Sequence, residues 1–245
     1  MKSERDLKFG ILAYLVARGR KYKDNVLRPN PTLGELEVFL GVAFDPQERA
    51  RAARAWDSLQ HADLIVSDYL SLSDPENWVE ISPAGRIALA RHALDELDEV
   101  LLIVDRRLVE FRDEAWTAFD RGGDVALSQA VHSMCELVDN VLRHLAPLND
   151  VRATSWFVRV KDSKTGVSRD QRARLIMERR HGRHDQEMCD ALVAAYRTLA
   201  GLKHPSRSYP PEVTERALLR AEDALREVML WRTKDERPDG DGEER

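Results

Sequence analysis

The stretch "RTLAGLKHPSR" sets Arg197 and His204 seven positions apart near the end of an apolar helical pattern. At about 100° per residue, seven steps complete two turns to within about 20°, so both side chains share one face. An imidazole titrates near neutrality and can take or give a proton. A guanidinium is planar, permanently charged and matched to the oxygens of an anion. The pair therefore couples a proton carrier to an anion clamp. The inward stripe of this helix is Met188, Leu192, Ala195, Leu199 and Leu202, whereas Arg197 belongs to a second stripe, Asp190, Ala194, Arg197, Gly201 and His204. A glycine inside a helix costs about 1 kcal/mol relative to alanine, which fits a shallow groove that a backbone or ligand approaches closely. The same residues also fit a plain helix end, with His204 near the last carbonyls and Pro205 stopping the helix.

Charge is unevenly distributed around that stretch. The chain of 245 residues carries a net charge of -5, yet residues 91–150 sum to -7 and residues 151–210 to +7. A basic segment in an acidic chain can grip a polyanion locally, because the field at the contact surface decides. A composition of 43% apolar and 33% charged residues is that of a water-soluble globular protein, long enough for two domains. No apolar run reaches the length of a membrane span and "MKSERDLKFG" lacks the apolar core of a signal peptide, so a cytoplasmic protein without membrane partners is expected. Cys135 and Cys189 are isolated and read as buried thiols. His132 with Cys135, or His181 and His184 with Cys189, fit no standard zinc spacing, and no metal or other cofactor is expected. The chain also lacks a phosphate-binding glycine loop and a nucleophile elbow, which argues against nucleotide hydrolysis.

The elements that hold these residues begin at legible caps. Ser3 with Asp6, Thr32 with Glu35, Asp45 and Pro46 with Glu48, Ser82 with Pro83, and Ser168 with Gln171 each read as a helix start. The first helix places Leu7, Ile11, Tyr14 and Leu15 inward, and the third places Ala52, Trp56 and Leu59 inward. Two alternating segments, "LIVSDYLSL" and "NWVEIS", follow around the turn "SDPE". Residues 1–90, with "AWDSLQHADLIV" running into the first strand and "ISPAGRIALA" following the second, resemble a winged helix-turn-helix domain of three helices plus a β-hairpin. The resemblance implies that the face of the third helix opposite Trp56, with Gln47, Arg51, Arg54, Ser58 and His61, enters a DNA groove. Its acidic tip "SDPEN" fits protein docking as well.

Residues 83–120 read as one long connecting helix. Ile87, Ala90, Leu94, Leu97, Leu101, Val104, Leu108 and Phe111 alternate spacings of three and four, the pattern of a coiled-coil seam, and a homodimer is expected from it. "RGGD" at 121–124 ends that helix. Four further helical segments lie within 124–232, with "VRATSWFVRV" between the first two as a possible extended piece, and the charged tail 233–245 reads as disordered. The expected fold is mainly α: a winged helix, a long connecting helix and a C-terminal α-helical bundle.

Within the bundle, an arginine followed after six residues by histidine in "RTLAGLKH" resembles the motif of the HEPN ribonuclease superfamily. "VDNVLRHLAPLNDVRATSWF" followed by "SRDQRARLIMERR" is similar to predicted nuclease domains found beside prokaryotic PIWI-like proteins. The two resemblances together cover residues 125 to about 232. They imply a metal-independent endoribonuclease acting in a prokaryotic defence or toxin system. RNA carries its own nucleophile, so His204 would serve as base or acid and Arg197 would hold the scissile phosphate, in a groove built across a two-fold interface. The RNA backbone would be gripped by Arg169, Arg172, Arg174, Arg179, Arg180, Arg183 and Lys203. Thr198 stands where such enzymes often carry Asn, Asp or His directly after the arginine. The alternative is a dimeric DNA-binding regulator with a non-catalytic helical domain, which Thr198 and the pair Arg51 and Arg54 favour.

Overall fold

The computed structural model describes residues 3–28, 33–68, 74–161, 163–180, 183–203 and 209–235. It is mainly helical and divides into two compact units, Met1–Asp95 and Glu96–Arg245. Among the described residues, no helix is long and apolar enough to cross a membrane.

In the first unit, α1 (Glu4–Arg18) starts at a reciprocal cap between Ser3 and Asp6 and buries Leu7, Ile11, Tyr14 and Leu15. A two-residue strand, β1 (Lys21–Tyr22), leads into a short helix, α2 (Lys23–Leu27), and neither is evident from sequence patterning. Then come α3 (Glu35–Leu40), α4 (Pro46–His61), β2 (Ile65–Ser67), β3 (Trp78–Ile81) and α5 (Pro83–Arg91). The strands form an antiparallel sheet in the order β1-β3-β2, with Ile65 opposite Ile81 and Lys21 opposite Val79. Trp56, Tyr14, Ile11 and Leu59 fill the core between helices and sheet. Ser82 caps α5 and also donates its hydroxyl to the Leu64 carbonyl. That carbonyl passes so close to α5 that a Cβ on Gly85 would lie 2.0 Å from it, so only glycine fits.

The start of α3 differs from the expected cap. Its N-cap is Gly34, and the partner is Glu37 rather than Glu35; Thr32 lies outside the described residues. Glu35 is otherwise engaged, accepting from the Tyr14 hydroxyl and from Lys21 Nζ at 2.8 Å. Glu37 is 1% exposed and accepts from the Gly34 and Phe44 amides at 2.8 and 2.7 Å and from Arg49 at 3.2 Å. One carboxylate thus fixes both the entry to α3 and the turn into α4.

In the second unit, α6 (Glu96–Val104) and α7 (Arg106–Arg121) precede the central α8 (Asp124–Leu145). A short α9 (Leu148–Arg152), α10 (Arg169–Arg180), α11 (Arg183–Leu202) and α12 (Pro211–Asp235) complete it. The buried face of α8 packs against α7, α10, α11 and α12. Arg112 on α7 donates to Asp98 on α6 at 2.7 Å and to Glu222 on α12 at 2.6 Å, and Trp116 Nε1 also donates to Glu222. These buried polar groups are mutually satisfied and tie three helices together. The segment 151–160 ends α9 and continues without strand pairing, so it is not the extended piece allowed by its sequence. Helix α12 runs past residue 233, where the tail was expected to begin, and residues 236–245 lie outside the description.

The expected connecting helix over 83–120 is instead three helices, α5, α6 and α7. His92 ends α5 in the left-handed conformation, at φ 54°, and Asp105 interrupts the chain in an extended conformation while its carboxylate caps the Arg107 amide. A heptad seam needs an unbroken helix to keep its apolar residues in register. Here Leu97, Leu101 and Leu108 are at most 3% exposed within the core of the second unit, whereas Ile87 belongs to the first unit and is 51% exposed. The seam is therefore core and not a dimer surface.

Two outcomes follow from these contacts. Replacing Leu97 and Leu101 together by Glu will abolish cooperative thermal unfolding of the second unit, because two charges would enter an apolar core; release of a folded monomer from a dimer would contradict the assignment. For Glu37, burial raises the carboxyl pKa, but the Gly34 and Phe44 amides and Arg49 outweigh it and leave the net shift downward. Its contribution is thus complete above the unfolded value of about 4.3 and disappears as pH falls through the folded value. Glu37→Gln will lower stability by about 1–3 kcal/mol at neutral pH and by progressively less in acid, measured by denaturant titration.

Candidate nucleic-acid interface

The candidate site is organised by an acid on the buried face of α8. Asp139, in the second half of α8, is 6% exposed. One of its oxygens accepts from Arg143, one turn further along α8, and the other lies 2.7 Å from Arg169 Nε. Arg169 is also stacked on Tyr196 of α11, its guanidinium carbon 3.8 Å from the ring centroid. Its position is set by the start of α10, where Ser168 accepts from the Gln171 amide at 3.1 Å and Gln171 accepts from the Ser168 amide at 2.9 Å. This is the cap expected from the sequence.

The neighbouring residues complete a basic concavity. Arg172 is 5% exposed and donates to the carbonyl of Ala146, the residue that ends α8, so α10 is fastened to α8 by a charge-assisted bond. Asp170 accepts from Arg197 of α11 at 2.5 Å, and both side chains are more than half exposed. The loop before α10 folds on itself: Val160 and Gly166 pair their backbones at 2.8 Å, and the Ser163 hydroxyl donates to the Val167 carbonyl at 2.8 Å. Gly166 takes φ +74° there, a conformation that favours glycine. Between this loop, α8, α10 and α11 lies a cavity of about 430 Å³ walled by Asp139, Arg143, Lys164, Arg169, Asp170 and Arg197. With Arg172, the described residues of its lining carry five basic and two acidic side chains.

Protonation follows from these surroundings. Burial raises the Tyr196 hydroxyl pKa, so the phenol stays neutral at physiological pH despite the opposing influence of Arg169. Burial also pushes the Cys135 thiol up to about 11, although the Lys203 amine beside it pulls the other way. Cys135 is therefore a neutral thiol near pH 7 and a poor nucleophile. Burial lowers the Arg172 pKa, with the Arg143 cation adding to the effect, yet an arginine keeps its charge.

The residues singled out from the sequence fall into separate places. Arg197 lies on the rim of the cavity, and Asp190, Ala194 and Gly201 of its stripe are exposed, as expected. His204 lies outside the described residues, which on this helix end at Lys203. Among the described residues, nothing outside its own helix lies within 4 Å of the place a Gly201 Cβ would occupy, while the Tyr209 hydroxyl donates to the Gly201 carbonyl at 3.3 Å. Arg169 lines the cavity, whereas Arg174 is stacked on Trp156 and paired with Glu178, and Arg179 is paired with Asp150. The side chains of Arg180 and Arg183, with His181 and His184, are outside the description. Arg172, expected to touch nucleic acid, is instead an internal fastening. In the first unit Arg54 is exposed, but Arg51 is 4% exposed because it shares the i, i+4 stripe of the buried Ala55 and Leu59. Sequence reasoning missed Asp139, Arg143, Lys164, Asp170 and Tyr196. The available signal was the i, i+4 acid–base pair Asp139 and Arg143, with Asp139 falling on the apolar face of the helix beside Cys135, Val138 and Leu142. Among the described residues, no three His, Cys, Asp or Glu side chains gather as a metal site.

The two arginines of this region will separate in thermal melts. Arg172→Ala leaves a buried carbonyl without its donor and will cost about 1–3 kcal/mol. Arg197→Ala removes an exposed pair and will change stability by less than about 0.5 kcal/mol. Equal losses would show that Arg197 also holds the fold.

A family described as the predicted pPIWI-associating nucleases matches residues 101–228, which contain the whole cavity and most of the second unit. No curated protein and no solved structure matches the chain. The match spans more than half of the sequence, and the chain belongs to the predicted pPIWI-associating nuclease family.

Proposed function

We propose that the protein is a metal-independent endoribonuclease in a prokaryotic defence or toxin system, with Arg197 and His204 as its catalytic pair. The observation that carries the reading is the exposed guanidinium of Arg197 on the rim of a strongly basic cavity inside the family's matched region. The HEPN-like spacing of Arg197 and His204 in the sequence supplies the rest. Arg197 holds the scissile phosphate and offsets its growing charge. His204 acts as base or acid at neutral pH while the 2′-oxygen attacks phosphorus and the 5′-oxygen leaves. Arg169, Arg143 and Lys164 add positive charge beside the cut, which attracts the strand without reading sequence.

The first unit is read as a winged helix, supported by the element order α1, β1, α2, α3, α4, β2, β3 and by the sheet order β1-β3-β2. Its exposed Arg54 suits contact with DNA or with a protein partner, and the buried Arg51 weakens the reading of the chain as a DNA-binding regulator. A homodimer remains part of the proposal, with an interface other than the 87–111 seam.

Purified protein will cleave single-stranded RNA equally with and without EDTA, leaving 2′,3′-cyclic phosphate ends. His204→Ala and Arg197→Ala will each reduce cleavage by about 10²- to 10⁴-fold with unchanged melting curves. Undiminished cutting by His204→Ala, or cutting only with a divalent ion, would overturn the catalytic assignment.

A further inference from the structure

The cavity holds two kinds of arginine. Asp139 is buried and engages Arg143 and Arg169 with separate oxygens, while the Tyr196 ring supports the far side of Arg169. These two guanidiniums are thus set in place before any ligand arrives, and each has five N–H donors. The Arg197–Asp170 pair is solvent-exposed at 67% and 61%, and an exposed pair is weak enough for a stronger anion to replace the carboxylate.

Size and charge define the anion. The cavity of about 430 Å³ falls at the lower end of small-molecule sites, enough for one nucleotide and too little for a run of stacked bases. Among the described residues, five basic against two acidic side chains leave an excess of three positive charges. An internal phosphodiester brings one negative charge, whereas a phosphate monoester brings about 1.5 to 2 and three terminal oxygens. The α10 N-terminus, with Ser168 and Arg169 on the wall, adds its positive end to the same space.

We propose that this cavity is a binding site for a phosphate monoester carried by one nucleotide, either at the end of a single strand or as a free mononucleotide. The proposal rests on the nuclease reading for its ligand class and goes beyond it: the cavity recognises an end, while the backbone runs past Arg197 at the rim. Arg143 and Arg169 hold the phosphate, and Asp139 is a positioning residue that acts through them.

The test uses the full chain in EDTA with short single-stranded 2′-O-methyl RNA, which lacks the attacking hydroxyl, so its outcome is independent of the Arg197 and His204 assignment. Strands ending in a 5′- or 3′-phosphate will bind about tenfold more tightly than the same strand with hydroxyl ends, measured by fluorescence anisotropy. Arg143→Ala, a change at a half-exposed side chain, will erase most of that preference with a smaller effect on hydroxyl-ended strands. Asp139→Asn will do the same, and Arg143→Lys will restore part of it. Competition by a nucleoside monophosphate as effective as that of a phosphate-ended strand assigns the ligand to a free nucleotide; much weaker competition assigns it to a strand end. Equal binding of phosphate- and hydroxyl-ended strands without nucleotide binding, or an unchanged preference in Arg143→Ala, would overturn the proposal.

Discussion

The buried carboxylate of Asp139 is the constraint on which the basic concavity depends. A buried carboxylate is costly unless it is paired, and here Arg143 donates to one oxygen and the Arg169 guanidinium lies 2.7 Å from the other. The same contacts hold those arginines beside each other against their mutual repulsion. Neutralising Asp139 would therefore release Arg143 and Arg169 to solvent as well as empty a buried polar site. The fold contributes by docking the start of α10 on α8 through Arg172, which holds Arg169 beside Asp139.

The proposed function draws on how these charges differ in freedom. Groups that must hold a phosphate benefit from being fixed in advance, since little order remains to be imposed on binding. A group that must follow charge developing during a reaction benefits from an accessible, exchangeable partner. Asp139 provides the first condition for Arg143 and Arg169, and the exposed Asp170 provides the second for Arg197. Membership of the pPIWI-associating nuclease family gives this arrangement its chemical setting, because the matched residues 101–228 include every member of the cluster.

Local signals were legible in the sequence where one residue suffices to carry them. The caps at Ser3, Asp45, Ser82 and Ser168 each join a side chain to an amide three residues on, and all four stand in the structure. The inward faces of α1, α4 and α11 followed from helical periodicity. What failed needed information from outside the local window. The seam from Ile87 to Phe111 keeps its period through His92 and Asp105, so spacing alone did not reveal two breaks made by backbone conformation. Arg172 and Arg51 looked like surface charges because their carbonyl partner and buried stripe are set by tertiary packing. Asp139, Arg143 and Tyr196 were invisible as a group, since they meet only when α8, α10 and α11 assemble.

The central claim, that nucleic acid is bound by the Asp139-centred face of the second unit, is most directly tested by hydrogen–deuterium exchange with and without single-stranded 2′-O-methyl RNA. The account predicts slowed exchange in peptides covering residues 139–143, 160–172 and 193–203, with little change over residues 46–61. Protection confined to residues 46–61 and the β2–β3 hairpin, with the cavity segments unchanged, would contradict it and place the contact on the first unit.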